Sequence, residues 1–221
     1  MAQILFTARH GGSSIDRFES LNLGDHVGDQ IVSVTNNRNI LSSALSQKEP
    51  RFMNQVHGNE VVEVNSDSPQ GVTADALITR EAGLPIAVLS ADCLPILIKS
   101  RNIVGAIHAG RKGILNQVIA QTILKIRSLG GDELSATIGP AICAKCYEVD
   151  VVMYRDAIAA DPNLATDEES HCLDLKRAAV GQLEKLEVKV SNLDICTAHN
   201  PNYFSYRRDG ICGRNAGVIV L

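Results

Sequence analysis

Apolar residues along this chain follow two different rhythms. Short β-branched or aliphatic runs fill the middle, at Val61–Val64, Ile86–Ser90, Ile96–Lys99 and Ile103–Ile107. Their near-continuous apolar character is that of strands covered on both faces. In Ile114–Arg127 the rhythm changes: Ile114, Leu115, Val118, Ile119, Thr122, Ile123 and Ile126 recur at helical spacing. Helices are also predicted over Val151–Ala160 and Leu173–Leu186, with Gly181 a weak point in the second. Strands return at Val188–Val190, Asp194–Thr197 and Ala216–Leu221. The first thirty residues and the segment Ala160–His171 read as irregular, being rich in Gly, Asn, Asp and Ser or carrying Asp161-Pro162-Asn163 and an acidic run. Strands and helices mix without strict βαβα order. The expected fold is therefore mixed α/β (α+β), a layered domain of β-sheets flanked by helices.

The chain has 221 residues, and ~150 residues per domain makes one large domain over 1–221 the expectation. Its formal net charge of −4 provides no general attraction to nucleic acid or anionic lipid. No apolar run approaches the ~18 residues of a membrane span, and no signal peptide is visible at the N-terminus. Six cysteines are too few for a disulfide scaffold, so they read as reduced thiols of a cytoplasmic protein.

Three segments place a metal ligand or nucleophile at the edge of a strand. They are Asn54-Gln55-Val56-His57-Gly58, then Ala91-Asp92-Cys93, then His108-Ala109-Gly110-Arg111-Lys112-Gly113. The gaps between His57, Cys93 and His108 exclude a local zinc-finger pattern. Ends of neighbouring strands can nevertheless converge in space. Two imidazoles and a thiolate can then hold Zn²⁺ with one position left open, as catalytic zinc sites require. Without a metal, Cys93 beside a histidine is also the minimum for a thiolate nucleophile. The residues alone leave both readings open. Gly110 and Gly113 permit close approach of the backbone, and Arg111 and Lys112 add charge beside a helix start.

The other cysteines carry less information. Cys143-Ala-Lys-Cys146 is a single C-x-x-C, read as two ordinary thiols, and Cys172, Cys196 and Cys212 show no spacing logic. Near the C-terminus, Arg207, Arg208 and Arg214 lie among glycines in Ser205-Tyr206-Arg207-Arg208-Asp209-Gly210…Gly213-Arg214, a pattern suited to phosphate or carboxylate.

With these residues in view, the chain resembles the YfiH/laccase-domain family, whose relatives carry multicopper polyphenol oxidase, purine nucleoside phosphorylase and peptidoglycan-editing labels. The resemblance runs nearly end to end. It includes Leu21-Asn22-Leu23-Gly24, Asn54-Gln55-Val56-His57-Gly58, Ala74-Asp75-Ala76, Ala91-Asp92-Cys93-Leu94-Pro95 and His108-Ala109-Gly110. It continues through Gly139-Pro140-Ala141-Ile142, Tyr147-Glu148-Val149 and Phe204-Ser205-Tyr206-Arg207-Arg208-Asp209-Gly210. The resemblance implies a zinc site at His57, Cys93 and His108, with copper as the weaker alternative. It also implies phosphorolysis of purine nucleosides (adenosine, inosine, guanosine, methylthioadenosine) and deamination of adenosine.

On that expectation Cys93, His108 and Asp92 are catalytic, with Asp92 a proton carrier. Arg9, Arg111, Arg208 and Arg214 are candidates to hold phosphate, and Asn22 and Gln55 to read polar edges of the nucleoside. The expected partners are purine nucleosides and phosphate, not nucleic acid or membrane, with the chain as a monomer. One departure stands out: the family usually carries Trp-Arg-Gly after His-Ala-Gly, where this chain has Arg111-Lys112-Gly113. The rival readings are a copper-dependent polyphenol oxidase, a cysteine hydrolase or editing factor acting on cell-wall precursors, and a metal-stabilised binding partner.

Overall fold

A computed structural model describes residues 2–45 and 48–221. In chain order the elements are β1 (Gln3–Phe6), α1 (Ile31–Leu45), β2 (Met53–Asn54), β3 (Val61–Glu63), β4 (Val72–Thr73) and β5 (Ala76–Thr79). Then come β6 (Ile86–Ser90), β7 (Leu94–Lys99), β8 (Val104–Ala109), α2 (Arg111–Leu115), α3 (Val118–Ser128) and β9 (Ser135–Ile138). The chain closes with α4 (Val151–Ala160), α5 (Leu175–Lys185), β10 (Lys189–Asn192), α6 (Tyr206–Asp209) and β11 (Asn215–Val220).

Two main sheets and a two-stranded parallel pair, β2-β4, organise these strands. A six-stranded mixed sheet runs β10-β9-β7-β8-β5-β3, and a three-stranded antiparallel sheet runs β1-β11-β6. Period-2 alternation assigns each face. In β7, Ile96 and Ile98 join one apolar cluster and Leu97 another, while all three are fully buried. The Ile96/Ile98 face packs under Val118, Ile119, Ile123 and Ile126 of α3 and Ala178, Ala179 and Leu183 of α5. On the opposite face Leu97, Leu77 and Ala106 meet Ile86, Val88 and Ile219 of the small sheet. The outer face of the small sheet, at Ala87, Leu89 and Val218, is covered by Leu41 of α1. The layers are thus helix, sheet, sheet, helix, which accounts for strands that are apolar on both faces.

Several elements differ from the expectation. The helix predicted over Ile114–Arg127 is broken in two, because Gln117 adopts a left-handed conformation (φ 64°) between α2 and α3. β7 begins at Leu94, so Pro95 lies inside a strand that pairs on both sides. Asp194–Thr197 is no strand; it makes one isolated bridge, Ala141 to Cys196. α1 was not anticipated, since only Val34, Asn37, Leu41 and Ser42 of its fifteen residues are buried. α4 and α5 begin where Asp150 and Asp174 accept hydrogen bonds from the amides of Met153 and Arg177.

Candidate metal centre and its cavity

β6 and β7 belong to different sheets, and the turn Ala91-Asp92-Cys93 carries the chain from one to the other. Asp92 adopts φ 105° there, a backbone region in which non-glycine residues are strained. Cys93 leaves this turn next to the end of β8, because Leu94 pairs with Ala109 and Pro95 with His108. His57 comes from the loop between β2 and β3, itself in the left-handed region at φ 59°.

The three donors meet. The ligand atoms of His57, Cys93 and His108 all lie within 4.8 Å of one another. His57 Nε2 is 3.9 Å from Cys93 Sγ. With Zn–S of about 2.3 Å and Zn–N of about 2.0–2.1 Å, a tetrahedral site has an S···N edge of about 3.6 Å. The donor set therefore fits a soft or borderline divalent ion, and it offers no hard oxygen for magnesium or calcium. Gly110 matters here: a Cβ on it would stand 2.9 Å from Cys93 Sγ and 3.1 Å from His57 Cδ2. Its φ is −79°, so close approach, not a left-handed backbone, makes glycine necessary.

One buried carboxylate holds the arrangement. Asp75, at the start of β5, accepts from the amides of Val56 (3.2 Å), His57 (2.9 Å) and Gly58 (2.6 Å). The same carboxylate lies 2.8 Å from His108 Nδ1, which leaves Nε2 of that ring for the centre. Burial raises the Asp75 carboxyl pKa, but the His108 hydrogen bond and the Gly58 and Val56 amides outweigh it and hold it below its usual range. Cys93 is also opposed by burial, yet the charges and hydrogen bonds of His108 and His57 bring its thiol down to about 6. Burial lowers His108, and Cys93 together with Asp75 reverses this and lifts it to about 9. The two form a thiolate–imidazolium pair that titrates as a unit.

The centre opens into a cavity of about 360 Å³. His57, Cys93 and His108 form one part of its wall; residues 89–92 at the end of β6, Gln55, Ile142, Tyr147, Tyr206, Arg207, Arg214 and His26 form the rest. Asp92 is held by the Thr197 hydroxyl (2.6 Å) and the Arg207 amide (2.7 Å). The Arg207 guanidinium stands 5.6 Å from the Tyr147 ring centroid. Burial lowers the pKa of His26, and the charge of nearby Arg214 lowers it further.

The candidates from sequence separate accordingly. Arg214 and Gln55 reach the cavity wall, although the Gln55 amide is engaged with the backbone of Leu89 through both its oxygen and its nitrogen. Arg111, at the first position of α2, is not among the residues lining the cavity, but its charge acts on the Tyr147 phenol. Arg9 is instead stacked over Phe204, 4.7 Å from its centroid. Arg208 is committed to Asp209 and to the carbonyls of Thr197, Asn200 and Tyr203, so its neighbour Arg207 is the one that faces the cavity. Asn22 is fully buried and pairs with Gly24, Asp29 and the Arg214 amide, a structural role in place of the expected contact with a nucleoside.

Sequence reasoning passed over two features. Asp75 was noted only as part of a motif, because the sequence does not reveal that a residue 33 positions before His108 touches it. The second is a cluster of Cys143, Cys146, Cys196 and His199, whose ligand atoms also lie within 4.8 Å of one another. Its signal was present, since Cys196-Thr-Ala-His199 repeats the spacing of Cys143-Ala-Lys-Cys146. These thiols are not the unrelated residues expected.

A His-Cys-His donor set at the junction of two sheets, open to a cavity with both apolar and polar walls, defines a metal-binding α/β protein. The chain belongs to the family described as multi-copper polyphenol oxidoreductase laccase, whose model matches residues 3–221. A Corynebacterium glutamicum protein named purine nucleoside phosphorylase is 38% identical over 98% of this chain and 93% of its own length. A Streptomyces coelicolor protein of the same name is 38% identical over 98% of this chain and 94% of its own. Among solved structures, the Neisseria meningitidis protein NMB0706 superposes with a TM-score of 0.91 at 32% identity, covering 100% of this chain and 94% of that one. The YlmD structure from Geobacillus stearothermophilus gives a TM-score of 0.86 at 32% identity, covering 99% and 91%. Among the described residues no helix is long and apolar enough to cross a membrane.

Proposed function

We propose that this chain, acting as one domain over 1–221, is a zinc-dependent purine nucleoside enzyme that cleaves nucleosides with phosphate and deaminates adenosine. The carrying observation is the convergence of His57, Cys93 and His108 on a cavity that also presents arginines and tyrosines, in a chain whose relatives are named purine nucleoside phosphorylases. The cavity volume of about 360 Å³ lies within the range of small-molecule sites.

His57, Cys93 and His108 would hold the zinc, with Asp75 orienting both histidines. When bound, zinc supplies Lewis acidity and a means of activating water near neutral pH. Arg207 and Arg214 hold phosphate, and Arg111 adds positive charge close to Tyr147. Tyr147 and Tyr206 flank the purine. In phosphorolysis a phosphate oxygen bonds to the ribose C1′ while the C1′–N9 bond breaks, and the departing purine takes a proton. Asp92, oriented by Thr197 and the Arg207 amide, is the carboxylate placed to carry that proton. In deamination water replaces the amino group at C6, and Asp92 serves the leaving ammonia in the same way.

The test is chromatography of adenosine incubated with the purified chain, with and without phosphate, beside Cys93→Ala. Phosphate-dependent adenine, phosphate-independent inosine, and loss of both in the variant are the expected results. No product from zinc-loaded protein would refute the reading. Oxygen uptake by copper-loaded protein with a phenol would replace it with the oxidase reading that the family description carries.

A further inference from the structure

The cluster of Cys143, Cys146, Cys196 and His199 lies outside the cavity just described. Cys143, Cys196 and His199 line a separate depression with Lys145 and Lys176, on the other side of the loop that gives Ile142 and Tyr147 to the nucleoside cavity. The four side chains come from two loops. One follows β9, and the other precedes α6. A short parallel bridge joins them, with the Ala141 amide donating to Ile195 O and the Thr197 amide to Ala141 O.

We propose that these four residues form a second metal site, a closed Cys₃His site for one structural Zn²⁺. Three lines of geometry carry it. The donor set is complete, with three sulfurs and one imidazole within 4.8 Å of one another, so no position is left for substrate or water. Cys146 Sγ is 3.1 Å from His199 Nε2, and Cys143 Sγ is 4.0 Å from His199 Nδ1. Tetrahedral zinc asks for S···N edges of about 3.6 Å and S···S edges of about 3.8 Å, so a small ring rotation that commits one nitrogen suffices.

One backbone contact favours a thiolate at Cys196. The Cys143 amide donates to Cys196 Sγ at 3.4 Å, the kind of backbone N–H contact that stabilises a metal-bound sulfur. Three thiolates with Zn²⁺ leave one net negative charge; Lys145, Lys176 and Arg177 line the same depression with Asp174 and Asp194, Lys176 being paired with Asp194 at 3.3 Å, so the lining carries one net positive charge. All six cysteines are free thiols, so no disulfide competes for these sulfurs.

A metal here would clamp the 143–146 loop to the 196–199 turn. That turn supplies Thr197, whose hydroxyl holds Asp92, and the loop flanks Ile142 and Tyr147. The site is therefore assigned a structural role at the back of the cavity wall. It stands independently of what the cavity binds.

The experiment is elemental analysis of metal in the full chain, purified under reductant without chelator. Wild type should carry about two zinc ions, Cys93→Ala about one, Cys196→Ser about one, and the double variant close to none. Equal zinc content in wild type and Cys196→Ser would overturn the site, as would an oxidised Cys143–Cys146 bond in the reduced-state preparation. Should Cys196→Ser fail to fold, cobalt substitution of Cys93→Ala decides. It should show strong charge transfer to cobalt from the three thiolates of this site and tetrahedral d–d bands. Their absence would overturn the proposal. No readout involves nucleoside turnover, so failure here and failure of the enzymatic reading are separate results.

Discussion

Replacing Asp75 with Asn tests the central claim about the first site, that one buried carboxylate orients both histidines. Oδ1 of Asp75 faces the His57 amide and His108 Nδ1, and Oδ2 faces the amides of Val56 and Gly58. In the variant one oxygen becomes an NH₂ group. Placed at Oδ2, it opposes two backbone N–H donors. Placed at Oδ1, it opposes the His57 amide and can satisfy His108 only by forcing the tautomer that puts a hydrogen on Nε2, where a lone pair must face the metal.

With the NH₂ at Oδ2 two of the four bonds are lost; with it at Oδ1 one is lost and the His108 bond survives only in the tautomer that turns a hydrogen towards the metal. At roughly 1.5–3 kcal/mol for each hydrogen bond to a charged group, and one or two bonds lost, the variant should lose about 1.5–6 kcal/mol of stability in metal-free protein. Metal affinity at this centre should fall about 10- to 100-fold, the usual cost of removing such a partner. The sign of the pH dependence follows from the lowered Asp75 pKa. Its stabilisation is full above the ordinary carboxyl value of about 3.9 and is lost as pH falls through the lower folded value. Wild type should lose this increment in acid, and Asp75→Asn should not.

Urea unfolding of chelated protein from neutral pH into acid, with a competitive chelator titration for metal, measures all three effects. A destabilisation below about 1 kcal/mol together with affinity within about twofold of wild type would refute the reasoning, since neither bond loss nor mis-set tautomer would then matter.

Two further outcomes are expected. In metal-free protein Cys93 should be alkylated by iodoacetamide with a midpoint near its pKa of about 6, and the rate should fall as pH drops below that value; a midpoint near the ordinary thiol value of about 8.5 would contradict the pairing with His108. Gly110→Ala, whose Cβ would lie 2.9 Å from Cys93 Sγ, should leave the fold near wild-type stability by thermal melting but displace the thiolate and lower metal affinity at least tenfold, by roughly 1.4 kcal/mol; unchanged binding would show that the wall can yield.

Much of the fold was legible locally. Ile86–Ser90 is a strand over its predicted span, and Ile96, Leu97 and Ile98 are apolar in succession because helices cover one face and a second sheet the other. α4 spans Val151–Ala160 as its spacing predicts, with Asp150 at its start. α1 was not legible. It rests on the small sheet through few residues, among them Asn37, which bonds Ser14 and the carbonyls of Ser20 and Asn22, so its packing leaves little apolar period to read. The break at Gln117 was hidden too, because apolar spacing continues across it.

The chemistry divides in the same way. Residue type and strand-edge position determined His57, Cys93 and His108 as candidates from sequence, since a thiol and imidazoles at the ends of buried strands are informative by themselves. Only the strand order decided that they meet. β5 and β7 flank β8, which sets Asp75 under His108 and Cys93 beside it. The same dependence explains Arg207 in place of Arg208: adjacent residues on α6 point in different directions, and Asp209 with three carbonyls claims one guanidinium. The Cys143–Cys146–Cys196–His199 cluster shows the limit most plainly. Its two spacings are written in the chain, but α4, α5 and β10 lie between them. Hydrophobic periodicity is a local property of the backbone, whereas a site assembled from distant loops exists only once the sheets have packed.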